Sequence, residues 1–248
     1  MAAPHWLTAK PIAHRGLHDR ASGLIENTLS AARAAIEKGF AIECDVQLSS
    51  DGEVFVFHDD HLDRLTSSSG DFKNHAAREI ASLTLKDTTD RIPTLREFLD
   101  TLSGHVPLIC EIKSRFDGSI EAVRRVAEIL KSYQGPVALK SFDPLMVEAM
   151  AHLAPERPRG FIGESIYDDH EWDFLSAQQK QDFASLKTFN GMKPDFLSWY
   201  IKDVDHASPQ MMRDHFGLPI MTWTVRTADH LEKARRYADQ IVFEGFIP

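Results

Sequence analysis

The stretch that most constrains the fold is Ala41-Ile42-Glu43-Cys44-Asp45-Val46-Gln47-Leu48. Its residues are mostly apolar and suited to a strand, and strand side chains alternate between faces. Glu43 and Asp45 therefore share one face, with Ile42, Cys44 and Val46 on the other. Two carboxylates side by side in an apolar strand are costly unless positive charge sits between them. A hard divalent cation bound through oxygen, Mg²⁺ or Ca²⁺, meets that need. The pattern recurs at Pro107 to Lys113, where Glu111 and Lys113 share a face. His14-Arg15-Gly16 ends an earlier apolar segment, and His58-Asp59 ends Val54-Phe55-Val56-Phe57. One such cluster alone reads as a surface loop or a structural ion pair. Four strand-end clusters in one chain read as a site.

Helical patterns separate most of the remaining strand candidates. Leu29, Ala32, Ala35 and Ile36 have helical spacing, with Gly39 as the stop, and Asn27 or Thr28 can cap that helix. Asn27 thus divides between a cap and a role in the site. Glu26 falls in the loop after the first strand, beside His14. Further strands are expected at 107–113, 137–141, 160–163, 195–200, 219–225 and 241–243. Alternating strand and helix predicts parallel β/α units, and eight of them close a TIM-type (β/α)8 barrel. With the runs beginning at Pro11, Ala41 and Val54 there are nine candidates, so one is irregular. Asp51-Gly52 is a hairpin signal and marks the place. If its flanking runs pair antiparallel, His58 and Asp59 come level with Glu43 and Asp45. Residues 60–105 read as a small helical insertion after the third strand, in a single domain spanning 1–248. Its clearest helix has Thr94 and Glu97 at capping-box spacing, with Leu95, Phe98, Leu99 and Leu102 as the apolar face.

The net charge of −9 argues against a nucleic-acid partner, which needs a basic surface. A small phosphate ester needs only a local cationic pocket. Cys44 and Cys110 fall on the faces opposite the carboxylates and read as buried apolar residues. Met1 to Lys10 lacks the apolar core of a signal peptide, and no apolar run reaches the length of a membrane span. The expectation is a soluble cytoplasmic protein with no stable membrane insertion.

Polar groups at the C-terminal ends of barrel strands gather at the catalytic mouth. His14, Glu43, Asp45, His58, Glu111 and Lys113 all fit there. Three carboxylates favour a hard metal over zinc. Arg15 and Lys113 suit an anionic oxygen, and two histidines can give and take a proton near pH 7. Together these groups spell phosphoryl transfer.

His14-Arg15-Gly16, Glu26-Asn27-Thr28, Glu43-x-Asp45, Asp51-Gly52, His58-Asp59, Ile92-Pro93-Thr94-Leu95, Glu111-Ile112-Lys113 and Trp223-Thr224-Val225 together resemble the glycerophosphodiester phosphodiesterase family. The ordered set covers most of the chain. The resemblance implies a divalent cation held by Glu43, Asp45 and Glu111, and hydrolysis of glycerophosphodiesters to glycerol 3-phosphate and an alcohol. It makes His14 and His58 the acid–base pair and Arg15 and Lys113 phosphate ligands. Glu26 then supports the metal end, and Trp223 packs against glycerol. The family is similar to the phosphatidylinositol-specific phospholipases C. By that analogy the substrate's own glycerol hydroxyl attacks phosphorus first, and water opens the cyclic phosphate. The family's usual Thr-Asp ending of the last strand is degraded here to Phe243-Glu244-Gly245, so the resemblance assigns that turn no role. His18 and His61 read as solvated loop residues. Two other readings compete: a phospholipase or sphingomyelinase D-like enzyme, and a silent barrel that binds a phosphate ligand. The first lacks a basic amphipathic helix. The second is disfavoured by the intact set of histidines and carboxylates.

Overall fold

A computed structural model describes residues 3–248. In chain order the elements are α1 (Trp6–Ala9), β1 (Ile12–Ala13), α2 (Leu29–Lys38), β2 (Ala41–Leu48), β3 (Val54–Val56), α3 (Ala77–Ile80) and α4 (Leu95–Leu102). Then come β4 (Leu108–Ile112), α5 (Glu121–Leu130), β5 (Val137–Ser141), α6 (Pro144–Leu153), β6 (Arg159–Gly163), α7 (Ala177–Ala184) and α8 (Phe189–Met192). The chain finishes with β7 (Phe196–Tyr200), α9 (Ala207–Phe216), β8 (Ile220–Val225), α10 (Ala228–Tyr237) and β9 (Gln240–Phe243).

Eight strands pair in parallel, in the order β1-β9-β8-β7-β6-β5-β4-β2, and β1 pairs with β2 to close the barrel. The expected (β/α)8 architecture is present. The ninth strand, β3, lies antiparallel on β2, with Val46 opposite Val56. The Asp51-Gly52 turn therefore supplies the irregular strand, and the Phe57 amide bonds the Asp45 carbonyl at 2.9 Å. That bond brings His58 level with the acidic face of β2.

Register places the charges. Asp45 lies opposite Glu111, and Glu111 opposite Lys140, so three adjacent parallel strands present polar residues at one level. On the other face Cys44 lies opposite Cys110; both thiols are free and buried in the apolar layer between sheet and helices. α4 and α5 cover that layer. Leu95, Phe98, Leu99 and Leu102 on the first and Val123, Val126 and Leu130 on the second are all buried in it. Thr94 caps α4, accepting from the Glu97 amide at 3.3 Å, while Glu97 accepts from the Thr94 amide at 2.8 Å.

The stretch 60–105 divides at Thr94. α4 belongs to the barrel's own core, whereas Leu62, Leu65, Phe72, Ile80, Leu85 and Ile92 form a separate cluster with Ile25, Phe55 and Phe57. That cluster organises a lobe of turns, bridges and the short α3 over one side of the mouth. The lobe is therefore shorter than 60–105 and only sparsely helical. Among the described residues, no helix is long and apolar enough to cross a membrane.

Candidate active site

Glu43, Asp45 and Glu111 meet at the mouth. All three are buried, and one oxygen of each lies within 4.8 Å of the others. An oxygen-ligated Mg²⁺ or Ca²⁺ bonds at roughly 2.0–2.6 Å, so oxygens this close can share one ion. The donor set, three carboxylates without sulfur or imidazole, fits a hard cation.

Cations of the protein surround the triad. Lys113 Nζ lies 2.9 Å from Asp45 and 2.6 Å from Glu111. Lys140 Nζ lies 3.1 Å from Glu43 and 3.8 Å from Glu111. Arg15 Nε lies 3.4 Å from Asp45. Burial alone would raise the Asp45 pKa, but Lys113, His58, Arg15 and a hydrogen bond from Asn27 hold it well below the carboxylate range. Burial likewise works against the charges of Lys113 and Lys140. The carboxylates outweigh it and keep both ammonium groups protonated beyond their ordinary range. Lys140 was not singled out in the sequence, although its setting at the end of Val137-Ala138-Leu139 repeats that of Lys113.

The turn after β1 is shaped for this cluster. Arg15 adopts φ 56° and Gly16 φ 81°. The Arg15 amide donates to Glu43 at 3.2 Å, and the Asn27 amide donates to the Arg15 carbonyl at 2.8 Å. A side chain at Gly16 would meet the Ala31 backbone at 3.0 Å, so this left-handed step needs glycine. Asn27, with φ 59°, donates to Asp45 from Nδ2 at 2.9 Å. Thr28 caps α2 instead, accepting from the Ala31 amide at 3.1 Å. The Asn27 side chain thus bonds Asp45 and not the end of α2. Glu26 stands one arginine away from the acidic triad, 2.6 Å from Arg15 and 2.7 Å from Arg64. Burial would raise its pKa, but these arginines pull it down to about 2.

Each histidine has a carboxylate behind it. His58 Nδ1 is 2.9 Å from Asp59, which Arg64 grips at 2.6 Å. His14 Nδ1 is 2.7 Å from Glu244, which also accepts from Arg226 at 2.9 Å. The degraded last turn therefore has a place in the site. Glu244 follows β9, and barrel closure sets β9 beside β1. His18, expected in solvent, is folded in by the same closure. It is partly buried beside His14 and Glu244, and its Nε2 is shielded without a hydrogen-bond partner. His61 is exposed and pairs with Asp71.

Two adjoining cavities form the mouth. One, of about 270 Å³, is lined by His14, Arg15, the acidic triad, both lysines, Glu164, Tyr200 and Trp223. Trp223 packs edge-on to Phe142 at 5.5 Å and against Tyr200 at 5.0 Å. The register slips between Thr222 and Val225 against β9, an irregularity that re-aims side chains. The other cavity, of about 470 Å³, opens beyond His58 toward Arg64, Phe116, Trp172 and Phe174. His58, Glu111, Lys113, Phe142 and Glu171 line both.

A closed barrel whose strand ends carry a carboxylate triad, two carboxylate-backed histidines and a ring of cations defines a TIM-barrel protein equipped for phosphate-ester chemistry. The chain belongs to the glycerophosphoryl diester phosphodiesterase family, an enzyme family whose model matches residues 14–244. A Bacillus subtilis glycerophosphodiester phosphodiesterase is 26% identical over 95% of this chain and 83% of its own length. Glycerophosphodiester phosphodiesterase 1 of Bos taurus is 27% identical over 88% of this chain and 72% of its own. Among solved structures, an Oleispira antarctica phosphodiesterase in complex with the product sn-glycerol-3-phosphate superposes with a TM-score of 0.76 at 26% identity. The match covers 96% of this chain and 93% of that one.

Proposed function

We propose that the protein hydrolyses a small glycerophosphodiester to glycerol 3-phosphate and an alcohol, with Glu43, Asp45 and Glu111 holding a divalent cation. The observation that carries this reading is the pair of carboxylate-backed histidines lining one cavity with the acidic triad. The named activities of the relatives and the product bound in the Oleispira antarctica protein support it. When bound, the cation neutralises charge on the phosphoryl oxygens.

The residues divide the remaining work. Arg15 and Lys113 face the phosphate and balance its charge. Trp223, with Tyr200, walls the smaller cavity as a platform for the glycerol moiety. The leaving alcohol takes the larger cavity beyond His58. His14, its Nδ1–H hydrogen-bonded to Glu244, offers Nε2 as base to a glycerol hydroxyl, which attacks phosphorus. His58 gives its proton to the departing alcohol oxygen. A cyclic phosphate results, and the roles reverse as water opens it: His58 takes the water proton and His14 returns one to the glycerol oxygen. Rapid-quench analysis that traps no cyclic phosphate would remove that step.

The whole reading is tested by release of glycerol 3-phosphate from glycerophosphocholine and glycerophosphoethanolamine. EDTA is expected to abolish release and Mg²⁺ or Ca²⁺ to restore it. Folded protein with no turnover on either ester would leave a silent phosphate-binding barrel as the better description.

A further inference from the structure

The surroundings of His14 contain more than its base chemistry needs. One donor atom each from His14, His18 and Glu244 lies within 4.8 Å of the others. His18 Nε2 is buried without a hydrogen-bond partner, an expensive condition for a ring nitrogen unless something else fills its coordination. Glu244 has room as well. Its bonds to His14 and Arg226 both fall on Oε2, and among the described residues none falls on Oε1. Two imidazoles and one carboxylate form a borderline donor set of the kind that selects zinc. The neighbouring triad of three carboxylates is hard. The mouth therefore holds two donor sets of different softness, and the His14 ring stands between them. Its Nδ1 meets Glu244 at 2.7 Å, and its Nε2 lies 4.0 Å from Glu43.

We propose that His14, His18 and Glu244 form a second metal site, selective for Zn²⁺ over Mg²⁺ and Ca²⁺, whose occupation switches the enzyme off. This rests on the reading of His14 as base. In the working state Nδ1 keeps its proton and donates it in a hydrogen bond to Glu244, and Nε2 keeps its lone pair for the substrate hydroxyl. A cation at the site takes the place of the Nδ1 proton. The single proton of the neutral ring then moves from Nδ1 to Nε2, which can no longer accept one. Arg226 competes for Glu244, so the site releases its ion more readily than a structural zinc site. Inhibition is accordingly reversible by a zinc chelator.

The test uses the full chain saturated with Mg²⁺. Zn²⁺ is titrated in by calorimetry and, separately, into the glycerophosphodiester assay. Wild type is expected to take up one zinc and lose at least about tenfold in rate. His18→Gln should bind that zinc at least about tenfold more weakly, the low end for disturbing a metal site. It should need correspondingly more zinc for inhibition, and turn over like wild type without zinc. If His18→Gln fails to fold, Glu244→Gln in the calorimetry alone must lose the same binding event. Zinc inhibiting His18→Gln at the wild-type concentration would place its action at the carboxylate triad and overturn the proposal, as would wild type with no such uptake. Calorimetry needs no turnover. A His18-dependent zinc site in a protein that hydrolyses no glycerophosphodiester would uphold the site and overturn the functional reading.

Discussion

His14 and His58 are each backed by a carboxylate, yet the two pairs are built in opposite ways. His58 and Asp59 are sequence neighbours at the end of a hairpin, and their clamp, Arg64, comes from the adjoining lobe. The His58 side chain is 32% exposed. His14 and Glu244 lie 230 positions apart and meet only because β9 closes the barrel against β1. Here the His14 side chain is 11% exposed. One pair is local with the more open ring, the other topological with the more shielded ring, while the carboxylates are similarly exposed, Asp59 at 18% and Glu244 at 24%. A hydrogen bond to a charged group counts for more where water is excluded. Orientation by Glu244 should therefore matter more than orientation by Asp59.

The largest effects fall on the groups both pairs serve. Glu43→Ala should reduce hydrolysis to background, and His14→Ala or His58→Ala should each lower kcat by about 10²–10⁴, the usual worth of an acid or base. Next, Glu244→Gln should cost about 10² in kcat with little change in KM, because the amide can hold the ring in the wrong tautomer. Asp59→Asn should cost about tenfold, since the partly exposed ring finds water instead. Equal losses in the two variants would break the comparison.

The smallest effect is on stability, and it has opposite sign at Glu164 and at Asp59. Burial, with Asp203 and Glu171 nearby, pushes Glu164 from 4.5 up to about 8. The folded protein therefore keeps a proton that the unfolded chain releases, so this contribution is full below pH 4.5 and lost as pH rises through 8. Glu164→Gln should gain in Tm relative to wild type between pH 5 and pH 8. Asp59 behaves in reverse. Burial raises its pKa, but His58 and Arg64 outweigh that and depress it. Its contribution is present above the ordinary value of 3.8 and fades as pH falls toward the lower folded value. Asp59→Asn should thus lose its Tm deficit in acid. Parallel pH trends in the two variants would contradict the assignment.

The same contrast explains what could be read from the chain. Alternation in β2 and β4 exposed Glu43, Asp45 and Glu111, because a two-residue period carries facing without any long-range information. Asp51-Gly52 exposed the antiparallel strand for the same local reason. Glu244 was illegible: its turn departs from the family's ending, and its partner is set by closure of the barrel. His18 looked like any loop histidine for that reason too. Lys140 is legible in principle, since Val137-Ala138-Leu139-Lys140 repeats the apolar strand ending in lysine at Lys113. The lobe was blurred because α4 follows it without a break in pattern, and only packing shows that Leu95 and Phe98 belong to the barrel.

The central claim is that His14 and His58 work on opposite sides of one phosphorus. The most direct measurement compares kcat/KM of His14→Ala and His58→Ala on glycerophosphocholine and on the same diester carrying a p-nitrophenyl leaving group, which needs no proton to depart. The account predicts that His58→Ala recovers most of its loss on the activated ester while His14→Ala recovers none. Equal losses in both variants on both substrates would contradict it.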